Sequence, residues 1–158
     1  MAKASSTTRT TDREILLTRV FDAPRELVFN AWIDPKHIAQ WFGPDGFTTT
    51  ILEMDVRPGG VWRFIMHGPD GVDYPNKIVY VEIVKPERLV YNHFSEDVDE
   101  PGQFHVTMTF AEQAGKTVLS MQMLFETAAE RDRVVKEYGA IEGGEQTLDR
   151  LAAYLAAR

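Results

Sequence analysis

Four histidines, His37, His67, His93 and His105, are the side chains best suited to proton transfer or metal ligation near neutral pH. Their spacing offers neither. There is no HExxH pair, and no His/Asp/Glu set has a metal-ligand interval, so a structural or solvated role is expected for each. His105 shares strand parity with Thr107 and Thr109, which points it to solvent. The chain has no cysteine, which removes thiolate nucleophiles, Cys-based zinc sites and disulfide frameworks. GxSxG and GxGxxG are missing, and Gly59-Gly60 is followed by neither a helix nor a Lys-Ser/Thr pair, so no phosphate cradle is expected. Glu82 is the acid of interest. It interrupts the apolar run Ile78–Val84 and shares parity with Tyr80. Facing inward, it must be paired or serve as a polar anchor; facing outward, it is solvated. Arg57 and Arg63 are its candidate partners. Asp55 and Arg57 read as a local pair beside a turn. Glu96, Asp97, Asp99 and Glu100 lack the alternating ligands and central glycine of a calcium loop. No catalytic residue, metal or cofactor is therefore assigned.

The larger signal is apolar. The sequence carries three Trp, five Tyr, nine Phe and six Met. Period-two parity sorts many of them. Trp62, Phe64 and Met66 share one strand face; Phe104, Val106, Met108 and Phe110 share another; Leu119, Met121, Met123 and Phe125 a third. Four methionines, Met66, Met108, Met121 and Met123, thus lie on inferred inward faces. Methionine is flexible and polarisable, and suits both irregular cores and adaptable apolar binding surfaces. Parity leaves both readings open.

These faces need strands and a covering helix. Glu14–Phe21 is apolar and β-branched, a first strand. Asp22-Ala23-Pro24 and Asp34-Pro35 each announce a helix. Leu27, Val28, Ala31 and Trp32, then Ile38, Trp41 and Phe42, recur at helical spacing. Strands are then expected at Phe47–Val56, Val61–His67, Lys77–Lys85, Leu89–Phe94, Phe104–Ala111 and Thr117–Glu126. Turns at Pro58-Gly59-Gly60, Gly68-Pro69-Asp70-Gly71, Pro86-Glu87-Arg88 and Ala114-Gly115 separate most of them, and Ser95–Gly102 is an acidic loop. Thr127 to Glu130 is a capping-box pattern. A short helix follows to Tyr138, Gly139 interrupts, and a longer helix runs from about Glu142 to Ala157 with Ile141, Leu148, Leu151, Ala152 and Leu155 on one face. The architecture expected is α+β: a curved antiparallel sheet of about seven strands around a long C-terminal helix, with two short helices between strands one and two. Residues 1–12 read as a polar tail without an apolar signal region, and residues 13–158 as a single domain.

Composition narrows the function. At 158 residues a core needs no metal or disulfide staple. A formal net charge of −7 argues against a nucleic-acid-binding face. No run approaches the roughly 18 apolar residues of a membrane span. A cytoplasmic protein, monomeric or weakly dimeric, is expected.

Several local patterns together resemble a known family. They are Arg19-Val-Phe-Asp-Ala-Pro24 with Val28-Phe29, Trp32-Ile-Asp-Pro35, Trp41-Phe-Gly-Pro44, Asp55-Val-Arg-Pro-Gly-Gly60 with Trp62, Pro86-Glu-Arg-Leu-Val90, and Gly144 with Leu148-Asp-Arg-Leu151. In order and spacing they resemble the domain related to the C-terminal part of the heat-shock protein 90 ATPase activator, within the START-like (SRPBCC, helix-grip) superfamily. The resemblance covers about residues 13–157. It implies a cavity between the sheet and the long helix, taking an apolar small molecule such as a lipid, polyketide or flavonoid. The expected lining is Trp41, Trp62, Phe64, Met66, Phe104, Met108, Met121 and Met123. Tyr80, Glu82 and Glu145 would orient the ligand, and Tyr138, Ile141, Gly144, Glu145 and Leu148 would form a helical wall. Gly144→Leu is then expected to abolish binding and leave the fold intact. Two other readings follow from the resemblance: a stress-related chaperone-interaction module like the activator, and a cyclase or hydrolase on the same fold.

Overall fold

Strict alternation of apolar and polar residues makes a strand with one buried face, and Glu14–Phe21 and Lys116–Phe125 bury every second residue from end to end. The structure, a computed structural model, describes residues 6–10, 12–96 and 102–157. In chain order it contains β1 (Ser6–Thr10), β2 (Glu14–Phe21), α1 (Arg25–Ile33), α2 (Pro35–Trp41), β3 (Thr48–Met54), β4 (Val61–His67), β5 (Asp73–Val84), β6 (Arg88–Ser95), β7 (Gly102–Gln113), β8 (Lys116–Phe125), α3 (Ala128–Tyr138) and α4 (Ala140–Ala156). One antiparallel sheet takes all the strands in the order β1-β2-β8-β7-β6-β5-β4-β3. The α+β class and the seven strands expected between Glu14 and Phe125 are present. An eighth strand is added at one edge: residues 6–10, read above as tail, pair with β2 from Ser6↔Arg19 to Thr10↔Ile15. Threonine-rich segments are competent strand formers even when polar. Of the acidic loop, residues 97–101 lie outside the described residues.

The helix signals work by local hydrogen bonding. Asp34 accepts from the Lys36 backbone N–H at 2.9 Å, with Pro35 at the first helical position. Thr127 accepts from the Glu130 N–H at 3.0 Å. The first helix differs from expectation: Pro24 itself holds the cap position and makes no side-chain cap bond, so Asp22 plays no part. Gly139 ends α3 in the left-handed conformation at φ 59°, cheap for a residue without Cβ, and α4 begins at the next residue.

The inner sheet face meets α4 and α1. Leu148, Leu151 and Leu155 of α4 are buried against it. Each contributes roughly 2 kcal/mol of apolar burial, which outweighs the roughly 1 kcal/mol that each of Gly143 and Gly144 costs the helix. Gly144 repays its cost sterically. A Cβ there would lie 2.6 Å from Leu17 Cδ1 of β2, and Leu17 is itself buried. Gly144 therefore marks close approach of the helix to the sheet, and Gly143 lies against Pro44 of the α2–β3 connection, 3.4 Å from where its Cβ would be.

The Leu148-Asp-Arg-Leu151 pattern has a physical meaning here. Its leucines fill the core, while its charged residues tie α4 at two places. Asp149 holds the buried Arg19 of β2 at 2.8 Å. Arg150 Nη1 donates to the carbonyls of Gly43, Pro44 and Phe47 at 2.9, 2.9 and 3.0 Å, clamping the connection between α2 and β3.

Candidate functional site

The clamped α2–β3 connection forms one lip of a cavity of about 430 Å³. Its floor is one end of the sheet: Met66 of β4, Tyr74 and Asn76 of β5, His93 and Ser95 of β6, Gly102, Gln103 and Phe104 of β7, and Met123 and Phe125 of β8. Pro44 and Phe47 close one side. Glu130, Arg133, Val134 and Tyr138 of α3, with Ala140 of α4, close the other. Antiparallel register explains the grouping, since Met66 pairs with Tyr74, Asn76 with Ser95, His93 with Phe104, and Phe104 with Phe125.

Four of the expected lining residues, Met66, Phe104, Met123 and Tyr138, border this cavity. The others do not. Trp41, Trp62, Phe64, Met108, Met121 and Leu148 are buried in the core. Trp62 stacks on Phe64 at 4.2 Å, and Trp41 packs edge-on against Trp32 at 4.7 Å while donating to the Ala31 carbonyl. The helical wall is α3, not the stretch of α4 through Ile141, Gly144, Glu145 and Leu148. Gly144 is pressed on Leu17, and the Glu145 backbone carbonyl lies 3.5 Å from Arg19 Nη2.

Glu82 is the clearest correction. Strand pairing passes from Tyr80↔Tyr91 to Glu82↔Val90, leaving Val81 as the extra residue of a β-bulge. A bulge reverses parity. Tyr80 therefore faces the core, Ile83 packs against it, and Glu82 points outward to bond Arg88 rather than Arg57 or Arg63. Those two arginines pair with Asp55 and Glu96. Tyr80 is buried but away from the cavity lining, and burial pushes its phenol above the usual range.

The polar centre of the cavity is one that sequence spacing did not single out. His93 lies between aromatic rings, stacked on Phe104 at 4.7 Å and edge-on to Phe64 at 5.9 Å. Its Nε2 is 2.9 Å from Asn76 Oδ1. The Asn76 amide donates from Nδ2 to the Tyr74 carbonyl at 2.9 Å, which fixes that oxygen as the group facing the ring. Surrounding protein atoms desolvate the imidazole, although the cavity reaches its surface, and push its pKa down to about 4. His93 is thus neutral at physiological pH and carries its proton on Nε2. At the rim, Arg133 is bonded to Glu130, and its guanidinium lies 5.8 Å from the Tyr138 ring. The signal for His93 was available: it shares period-two parity with Tyr91 and Leu89 on β6, an inner face.

The other histidines are satisfied elsewhere. His37 bonds Tyr154 at 2.6 Å, His105 bonds Asn92 at 2.7 Å, and His67 lies between Thr50 and Asp73 at 2.7 Å each. Among the described residues no group of three His, Asp or Glu could hold a metal, and no helix is long and apolar enough to cross a membrane.

A curved antiparallel sheet gripping a C-terminal helix, here with a cavity under α3 at one end, is the helix-grip architecture of START-like proteins. The family model described as activator of Hsp90 ATPase homolog 1-like protein matches residues 22–156, and the chain belongs to that family. Protein CV1439 from Chromobacterium violaceum is 30% identical, with 90% of this chain and 96% of that one covered and a TM-score of 0.80. A protein from Arthrobacter aurescens is 22% identical, covering 96% and 92%, with a TM-score of 0.89. Protein Ms6760 from Mycobacterium smegmatis is 24% identical, covering 99% of both chains, with a TM-score of 0.86. No curated protein matches the sequence significantly.

Proposed function

We propose that this protein binds a hydrophobic small molecule, lipid, polyketide or flavonoid-like, in the cavity between the sheet and α3. The observation that carries the reading is the cavity itself. Its volume of about 430 Å³ falls in the range of roughly 300–1,000 Å³ typical of small-molecule sites. Phe47, Met66, Phe104, Met123, Phe125 and Val134 give it an apolar lining, and His93 with Asn76 forms a polar point within it. Methionines at two positions allow the lining to adapt to different shapes. The expected setting is the cytoplasm, which a cysteine-free chain suits.

Native mass spectrometry and melting curves against flavonoids, fatty acids and polyketides test the reading. A ligand at about 100 times its Kd adds roughly 2.7 kcal/mol, or about 5–10 °C in a chain of this size. A bound mass and such a shift are expected. Neither appearing across the panel would overturn the proposal.

Family membership favours a second reading, a module that touches the Hsp90 chaperone. It predicts stimulation of the chaperone's ATPase, and a flat titration rejects it. A cyclase or hydrolase is less well supported. A general base works best with a pKa near the operating pH, and His93 sits far below.

A further inference from the structure

The cavity lining contains several hydrogen-bonding groups, and most are already engaged. Gln103 bonds Glu126, Arg133 bonds Glu130, and Asn76 is held at both ends by Tyr74 and His93. His93 is different. Its Nε2–H is committed to Asn76, so the remaining lone pair of the neutral ring is at Nδ1. No described residue donates to that nitrogen. The ring cannot turn over to change this. Flipping it would keep the stack on Phe104 but put the ring carbon Cε1 opposite Asn76 Oδ1 and break that bond. The amide of Asn76 cannot flip either, because that would set its Oδ1 against the Tyr74 carbonyl oxygen in place of the donating Nδ2.

We propose that His93 Nδ1 is the hydrogen-bond acceptor for the ligand, and that the cavity takes an uncharged apolar molecule carrying a hydroxyl donor, a phenol or an alcohol, bound hydroxyl first. This rests on the cavity being a small-molecule site. An apolar body fits the aromatic and methionine lining. A hydroxyl proton is what an imidazole lone pair accepts. A carboxylate fails at the same point, because its oxygens are acceptors facing an acceptor in a poorly solvated site. The cation at the rim does not compensate, since Arg133 is bonded to the carboxylate of Glu130, which lines the same cavity. The assignment also gives Asn76 a purpose. It lies opposite Ser95 and next to the ring, where it acts as the positioning residue that selects the tautomer.

Three congeners of one shape test the idea at neutral pH: biphenyl, para-phenylphenol and para-methoxybiphenyl, titrated by calorimetry into the wild type and His93→Phe. The phenol is expected to bind the wild type about five- to tenfold more tightly than the ether or the hydrocarbon, the size of one neutral hydrogen bond. In His93→Phe that preference is expected to vanish while biphenyl affinity remains. Equal binding of all three to the wild type overturns the hydroxyl assignment and leaves the cavity reading intact. If none of the three binds, the cavity reading fails and the assignment fails with it. A second measurement needs no variant. Long-range proton–nitrogen NMR of isotope-labelled histidine is expected to show His93 protonated at Nε2, with the Nδ1 resonance moving when para-phenylphenol is added. Protonation at Nδ1, or an Nδ1 resonance that stays fixed while the phenol binds, overturns it.

Discussion

Replacing His93 with Phe should flatten the acid limb of the stability curve. In the native protein desolvation lowers the His93 pKa to about 4, whereas an unfolded histidine titrates near 6.5. Between these values the unfolded chain binds a proton that the native chain refuses. Stability therefore rises with pH across this window and falls on acidification. Linkage gives the size. The loss is about 1 kcal/mol by pH 5.5 and about 2–3 kcal/mol by pH 4.5, levelling off near 3 kcal/mol once both states are protonated. Nearby charges change this little, because Arg133 opposes protonation, Glu130 favours it, and the two are bonded to one another. Other groups titrate in the same range, so the comparison with His93→Phe isolates the histidine. The phenyl ring keeps the stack on Phe104 and loses the bond to Asn76. That lowers stability at every pH and leaves the difference in slope untouched. Urea unfolding at neutral pH and at pH 4.5, followed by fluorescence of the buried Trp32, Trp41 and Trp62, measures both. Wild type and variant losing stability in parallel would refute the argument that burial holds His93 neutral.

Other perturbations separate packing from binding. Asp149→Ala removes the half-exposed counter-ion of the buried Arg19 and should cost roughly 1–3 kcal/mol in urea unfolding. Gly144→Leu should lower stability by several kcal/mol, since even its Cβ collides with Leu17; an unchanged melting temperature would contradict the close approach of α4 to β2. Val134→Trp should fill the cavity from α3, leaving the melting temperature of the free protein within a few degrees and removing ligand-induced shifts. Glu82→Gln, on the outer face beside Arg88, should leave biphenyl titrations unchanged.

Local chemistry carried a large part of the architecture. The alternation in Glu14–Phe21 and Thr117–Glu126, the Asp34-Pro35 cap and the Thr127–Glu130 cap specify their elements through contacts a few residues apart. Neighbouring residues suffice for such features, so they are legible in one dimension. Parity likewise placed Met66, Phe104 and Met123 on inner faces, and all three border the cavity.

What parity could not do was cross a bulge or measure depth. The extra residue at Val81 turns Glu82 out of the protein, and whether a strand bulges depends on its partner's register. Inner-face residues divide between filled core and open cavity according to where the helices come down. Trp62 and Phe64 sit in the core beside Phe42, whereas His93, two residues beyond Tyr91 on its strand, reaches the space under α3. The same long-range placement made α3, rather than α4, the cavity wall. The sequence by itself determined the seven strands from Glu14 to Phe125, the Asp34 and Thr127 caps and the gripping helix, because those depend on periodicity and local hydrogen bonds. Tertiary structure alone decided which polar group faces the cavity, because desolvating His93 and orienting it through Asn76 require strands distant in sequence to meet.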